Sequence, residues 1–161
     1  MSNEFFVNHK NGMKQKGLYW PCEEAKKNVV IATGMQEMSS RYSDFAKFLN
    51  SKGFNVWCLD AFGQGLNVSN VKDLQKWPKN GFSLCVDGLA LTLELAKKNN
   101  LPTYLFGHSM GSFMAQEYLQ RFHERVSKVV LCGTDYPSPL KMGFAYRLAK
   151  LLVNNKKRNL P

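Results

Sequence analysis

The sequence is short of several things, and each shortage excludes a class of protein. No apolar run approaches the ~18 residues that a membrane-spanning helix needs, and the mean hydropathy is −0.33, so an integral membrane helix is not expected. The four cysteines, Cys22, Cys58, Cys85 and Cys132, stand far apart with no C-x-x-C pair and no histidine at metal-ligand spacing. That spacing predicts reduced, mostly buried thiols, with no disulfide framework, metal site or cofactor. The first ten residues have neither an apolar core nor a small-residue cleavage site, so no signal peptide is predicted and the expected location is cytoplasmic. Acidic residues are scarce, 12 against 22 Lys and Arg, for a net charge of +10. Six of the basic residues (Lys141, Arg147, Lys150, Lys156, Lys157, Arg158) lie after Pro137, where there is no acid. The positive charge is therefore largely a property of the last segment. No nucleic-acid motif accompanies it, so nucleic acid is not an expected partner.

What is present suits one folded domain, since 161 residues with 44% apolar content can bury a sizeable core. Short β-branched runs alternate with longer amphipathic ones. Asn28–Ala32, Phe54–Leu59, Thr103–Phe106 and Val126–Leu131 read as buried strands, with an earlier one at Leu18–Trp20. Ser39–Lys52, Phe82–Lys98, Met110–Phe122 and Leu140–Val153 read as helices, the first with Tyr42, Phe45, Phe48 and Leu49 on one face and Gly53 as its stop. Strands alternating with helices predict an α/β fold: a mostly parallel sheet with helices on both faces.

The sharpest local feature is Gly107-His108-Ser109-Met110-Gly111, set between a predicted strand and a predicted helix. In that context G-x-S-x-G is a nucleophile elbow, a turn so tight that Gly107 and Gly111 must flank the serine. Ser109 would stand at the C-terminal edge of the sheet, where open α/β sheets bind ligands. The following helix aims its N–H groups and positive dipole end at the same spot. A second feature, Thr33-Gly34-Met35-Gln36-Glu37, follows the Asn28–Ala32 strand. The backbone N–H groups of Met35 and Met110 would together form a two-donor oxyanion hole. Glu37 and Asp60 read as loop-bracing carboxylates, and Asp87 as an acid early in a helix.

From about Trp20 onward the chain resembles the first half of an α/β-hydrolase of the lysophospholipase and monoacylglycerol lipase group. Thr33–Tyr42 stands where that group has His-Gly-x-x-Glu-His-Ser-x-Arg-Tyr. Asp60-Ala61-Phe62-Gly63-Gln64-Gly65 stands where it has Asp-x-Arg-Gly-His-Gly or Asp-x-Arg-Gly-Gln-Gly, and Gly107–Ser112 matches its elbow. Thr33 replaces the usual His and Phe62 the usual Arg, which leaves the hydrogen bonding of both loops open. The resemblance implies a serine hydrolase that cleaves a carboxylic ester of a lipid-like substrate, a lysophospholipid or monoacylglycerol, through an acyl-enzyme on Ser109.

In this fold the chain order is Ser, acid, His. Only His123 follows Ser109, 14 residues on, and at ~1.5 Å per helical residue it would be about 21 Å away, too far to act as base. His108 must point elsewhere for the elbow to present its serine. Asp135, after the last strand, reads as a loop or cap-support residue rather than as the acid. The expectation is therefore a hydrolase core over residues 1–136, the start of a cap over 137–161, a triad acid and His lying beyond, and little activity for this chain alone. The basic amphipathic segment 140–158 falls where the resembled group begins its lid. It would either pack on the core or make peripheral contact with an anionic membrane. Two other readings stay open, a catalytically inactive fragment and a basic membrane- or nucleic-acid-binding module.

Overall fold

A computed structural model describes residues 1–122, 126–135 and 138–158. Six strands form one sheet in the order β1-β2-β4-β3-β5-β6. They are β1 (Asn3–Asn8), β2 (Lys14–Trp20), β3 (Lys27–Ala32), β4 (Phe54–Leu59), β5 (Thr103–His108) and β6 (Lys128–Cys132). The β4-β3-β5-β6 block is parallel, and β1 and β2 are antiparallel additions at the β4 side. The helices are α1 (Ser43–Ser51), α2 (Gly81–Lys97), α3 (Met110–Arg121) and α4 (Pro139–Arg158).

β3 lies between two parallel neighbours, so its alternate side chains are buried on opposite faces. Val30 and Ala32 join Leu105, Leu89, Leu93, Met114 and Tyr118 in a core beneath α2 and α3. Val29 and Ile31 join Trp20, Val56, Cys58 and Ala46 in a second core beneath α1. Burial of so many aliphatic side chains on both faces, each worth about 1.5–3 kcal/mol, holds the layers together.

The chain leaves β3 for β4 on one side and returns through α2 to β5 on the other. The strand order thus reverses between β3 and β5, and loops leaving these two strands diverge to leave a crevice at their C-terminal ends. Ala32 pairs with Gly107 at that edge, so the Thr33–Glu37 loop and the Ser109 turn begin side by side.

Three expectations need correction. The predicted strand at Leu18–Trp20 begins at Lys14 and pairs with a further strand, β1. β1 was not visible in the sequence because only Phe5 and Val7 turn inward, with Phe6 exposed between them and polar residues at both ends. The predicted helix from Ser39 opens as a single 3-10 turn, Ser39–Tyr42, and becomes α-helical at Ser43. Within α1, Ala46 is buried while Phe48 is exposed, its ring covered by the Lys52 ammonium. Cys132, expected to be buried with the other thiols, is exposed on β6.

Candidate active site

Ser109 occupies the one-residue junction between β5 and α3, with φ 50° and ψ −117°. A non-glycine residue in this region stores roughly 1–3 kcal/mol of strain and persists only where its surroundings hold it. The Ser109 N–H donates to the Cys132 carbonyl at 2.8 Å, and its own carbonyl accepts from the Ser112 N–H at 2.9 Å and the Ser112 hydroxyl at 2.6 Å. The flanking glycines are sterically required. A Cβ on Gly107 would lie 2.5 Å from the Gly111 carbonyl oxygen, and one on Gly111 would collide with the Ala32 carbonyl.

The Thr33–Glu37 loop comes directly against this turn. The position a Gly34 Cβ would take is 3.3 Å from Ser109 Cβ. The Gly34 N–H donates to Glu37 Oε2 at 2.7 Å and the Gln36 N–H to Gln64 Oε1 at 2.6 Å. Met35 lies between these two tied amides, and its own N–H has no acceptor among the described residues. Met110 is the first residue of α3, and the N–H of a first helical residue has no intrahelical acceptor. Met35, Met110, Gln75, Trp77 and Phe82 line a cleft of about 490 Å³. Ser109, Met35 and Met110 are thus brought to one place, beside a mainly apolar opening.

Glu37 collects donors. Burial pushes its carboxyl up, but hydrogen bonds from Tyr42, Gly34 and His108 outweigh this and hold it below the usual carboxylate range. The Tyr42 hydroxyl donates to it at 2.7 Å, and burial, together with that carboxylate, pushes the phenol far above its ordinary value. His108 Nδ1 lies 3.1 Å from Glu37, so the imidazole next to Ser109 is turned to the loop. Asp60 is fully buried at the end of β4 and accepts the Ser39 N–H, the Ser39 hydroxyl and the Leu66 N–H. Burial raises its carboxyl above the usual range despite these bonds.

Both departures from the pattern of the resembled group, Thr33 and Phe62, are buried. Phe62 is buried in the α2-side core against the His9 ring, centroids 5.6 Å apart, so it packs rather than hydrogen-bonds. Gln64 bonds the loop instead, donating to the Glu37 and Gly34 carbonyls at 3.0 and 3.4 Å while accepting from Gln36. The sequence marked the Asp60–Gly65 stretch but not this contact. Trp77 escaped sequence reasoning too, because the β4–α2 connection carries no periodic pattern, and Phe82 was read only as the start of a helix.

The remaining candidates are placed as follows. His9 is bonded to Gln15 Oε1 at 3.0 Å, and His123 lies outside the described residues. Asp135 follows β6 and is exposed. Asp87 pairs with Arg121 at 2.5 Å on the α2–α3 surface. In α4, Leu140, Phe144, Leu148 and Leu151 are all exposed. Among the described residues no helix is long and apolar enough to cross a membrane.

Comparison with known proteins gives the same architecture. The chain is 25% identical over 139 residues to Phospholipase YtpA of Bacillus subtilis, covering 84% of this chain and 51% of that protein. It is 28% identical over 153 residues to the Monoacylglycerol lipase of Mycolicibacterium smegmatis, covering 89% and 52% respectively. A crystal structure of a thermostable carboxyl esterase from Bacillus coagulans superposes with a TM-score of 0.79 at 25% identity, over 99% of this chain and 53% of that one. The chain spans about half the length of the curated relatives it matches. Residues 23–161 match the Hydrolase_4 family, described as serine aminopeptidase, S33, and with this match over most of its length the chain belongs to that family of α/β-hydrolases.

Proposed function

We propose that this chain carries the nucleophile and oxyanion half of a serine hydrolase acting on carboxylic esters of lipid-like substrates, a lysophospholipid or a monoacylglycerol. The observation that carries the reading is the contact of the Gly34 loop with Ser109, whose Cβ is 3.3 Å from where a Cβ on Gly34 would stand, at a serine held in a strained strand-to-helix turn. The apolar cleft formed by Met35, Trp77, Phe82 and Met110 supports an acyl group as the part of the substrate held there. The names of the relatives, a phospholipase, a monoacylglycerol lipase and a carboxyl esterase, support an ester rather than a peptide.

In this mechanism Ser109 Oγ attacks the ester carbonyl carbon and gives its proton to a histidine base. The carbonyl oxygen becomes an oxyanion between the Met35 and Met110 N–H groups, and each such donor is worth about 3 kcal/mol in the transition state. The C–O bond to the leaving alcohol breaks as that alcohol takes the proton from the base. Water then attacks the acyl-enzyme, releasing the fatty acid and restoring the Ser109 proton. His108 is committed to Glu37 and His9 to Gln15, so the base and its acid would come from outside the described residues.

The test is release of p-nitrophenolate from a short p-nitrophenyl ester by the 161-residue chain, with and without added imidazole as a diffusible base. Without imidazole the expected rate is near background, since removing the histidine of a triad costs on the order of 10⁶ in kcat. With imidazole a rate dependent on Ser109 appears and is absent from Ser109→Ala. Equal rates for the two proteins in imidazole would sink this reading in favour of an inactive fragment. The exposed apolar residues of α4, with the exposed cations Arg147 and Lys150 beside them, support peripheral contact of segment 140–158 with an anionic membrane. Co-sedimentation with phosphatidylglycerol vesicles but not with phosphatidylcholine vesicles is the expected outcome.

A further inference from the structure

The oxyanion loop and the nucleophile turn belong to different parts of the chain, and one side chain touches both. Glu37 Oε2 accepts the Gly34 N–H and the Tyr42 hydroxyl, each at 2.7 Å. His108 Nδ1 lies 3.1 Å from both oxygens of the same carboxylate, and His108 is the residue immediately before Ser109. The position of the missing Cβ of Gly34 is 2.9 Å from Glu37 Oε2 and 3.3 Å from Ser109 Cβ. The carboxylate and the nucleophile's side chain thus meet at this one glycine.

We propose that Glu37 is a positioning residue that locks the Met35 donor to the Ser109 elbow, by tying the Gly34 amide, Tyr42 and the imidazole of His108 to one carboxylate. The inference rests on the catalytic reading of Ser109 and Met35 for its effect on rate, but not for the geometry it asserts. An ionised carboxylate only accepts hydrogen bonds, so each of its three partners must donate. The Gly34 amide always donates, and the Tyr42 phenol stays protonated because its pKa is pushed far up. For His108 the requirement fixes the tautomer: the neutral ring carries its proton on Nδ1, leaving Nε2 as the acceptor. Rotating the Gly34 peptide would break its charge-assisted bond and move the Met35 N–H that follows. Turning His108 away would strip the same carboxylate from the elbow side. A glutamine could still accept from two of the three donors, but its NH2 would face the third, so His108 could meet it only by changing to the tautomer that accepts on Nδ1.

The experiment uses the ¹⁵N-labelled 161-residue chain as wild type, Glu37→Gln and Glu37→Ala. Two-bond ¹H–¹⁵N spectra of the imidazoles report the tautomer, and amide exchange reports the Gly34 bond. The expected wild type has neutral His108 protonated on Nδ1. In Glu37→Gln the side-chain amide donates to Nδ1, so the proton moves to Nε2, a change that simple loosening of the loop would not produce. In Glu37→Ala the Gly34 amide exchanges at least tenfold faster. In the imidazole-supported ester assay both variants lose at least tenfold in kcat with KM within twofold of wild type. A wild-type His108 protonated on Nε2, or Gly34 exchange unchanged in both variants, overturns the proposal. If wild type shows no hydrolysis dependent on Ser109, the catalytic reading has failed while the tautomer and the exchange rate still decide the clamp. Should Glu37→Ala fail to fold, Glu37→Gln and the wild-type tautomer carry the decision.

Discussion

The Gln36 N–H donates to Gln64 Oε1 at 2.6 Å, across 28 positions of sequence, and Gln36 has a φ of 61°. Left-handed backbone is unfavourable for a residue with a Cβ, so this bond helps hold the Thr33–Glu37 loop in the bend that sets Gly34 against Ser109. Gln64→Leu keeps the size of the side chain while removing the acceptor and both donors. We expect a stability loss of about 1–3 kcal/mol from the buried polar groups left unpaired. The imidazole-supported ester rate should fall by roughly tenfold or more, a fraction of what one oxyanion donor supplies. Urea titration and the p-nitrophenyl assay check the two effects, and an unchanged rate in a folded variant would show that the loop holds itself.

The carboxyl of Glu37 should make acid unfolding depend on one loop. Its folded pKa is lowered, with burial opposing the shift and the bonds from Tyr42, Gly34 and His108 prevailing. A carboxyl with a depressed folded pKa contributes stability that is fully present above its unfolded value of ~4.3 and is lost as pH falls through the folded value. The urea midpoint of wild type should therefore drop on acidification below about pH 4.5 more steeply than that of Glu37→Gln. Asp60 has the opposite sign, since its folded pKa is raised. Its penalty grows as pH rises from ~3.9 through the folded value and is constant above it. Identical slopes for wild type and Glu37→Gln would show that the carboxylate is not engaged as described.

Most of the fold was legible in the sequence for a physical reason: β3 and β4 are buried on both faces and β5 is buried on one and half-buried on the other, so their centres must be largely apolar. The elbow was legible because its steric demands select glycine at 107 and 111. What escaped reading depends on contacts distant in sequence. β1 is marked only by its register against β2, Gln64 acts 28 positions from its partner, and His108 reaches back 71 positions to Glu37. A glutamine or glutamate in a loop looks the same in sequence whether it braces a site or faces solvent.

Thiol reactivity should follow burial residue by residue. Cys58 and Cys85 are buried and Cys132 is exposed, with Cys22 between them. Burial pushes the Cys85 thiol up to about 11 and the Cys58 thiol well above its ordinary value, and only the thiolate is nucleophilic. In native buffer near pH 8, iodoacetamide should modify Cys132 first and Cys22 more slowly. Cys58 and Cys85 should react only after unfolding. Peptide mapping reads the order, and early modification of Cys58 or Cys85 would show that the core opens in the native state.

β6 is the outer strand of the described sheet, paired to β5, and Val130 and Leu131 are 51% and 38% exposed. Such an apolar edge templates pairing with another chain unless charge or cover blunts it. The 161-residue chain should therefore self-associate at micromolar concentration, and Leu131→Lys should shift sedimentation velocity toward the monomer. A wild-type chain that sediments as a monomer throughout that range would count against this.

The strain at Ser109 predicts an exchange of stability for function at one residue. Alanine removes the hydroxyl but keeps the Cβ, so Ser109→Ala retains the φ of 50° and ψ of −117° and their cost of about 1–3 kcal/mol. Glycine adopts positive φ freely, at an entropic cost of about 0.5–1 kcal/mol. Ser109→Gly should therefore be the more stable of the two by about 1 kcal/mol, or roughly 2–4 °C in Tm for a domain of this size. Both variants should have lost ester hydrolysis in imidazole, so the comparison isolates the backbone from the chemistry. A Ser109→Gly protein that melts at or below Ser109→Ala would mean that the turn is relaxed, and that the bonds it donates to Cys132 and accepts from Ser112 hold it without strain.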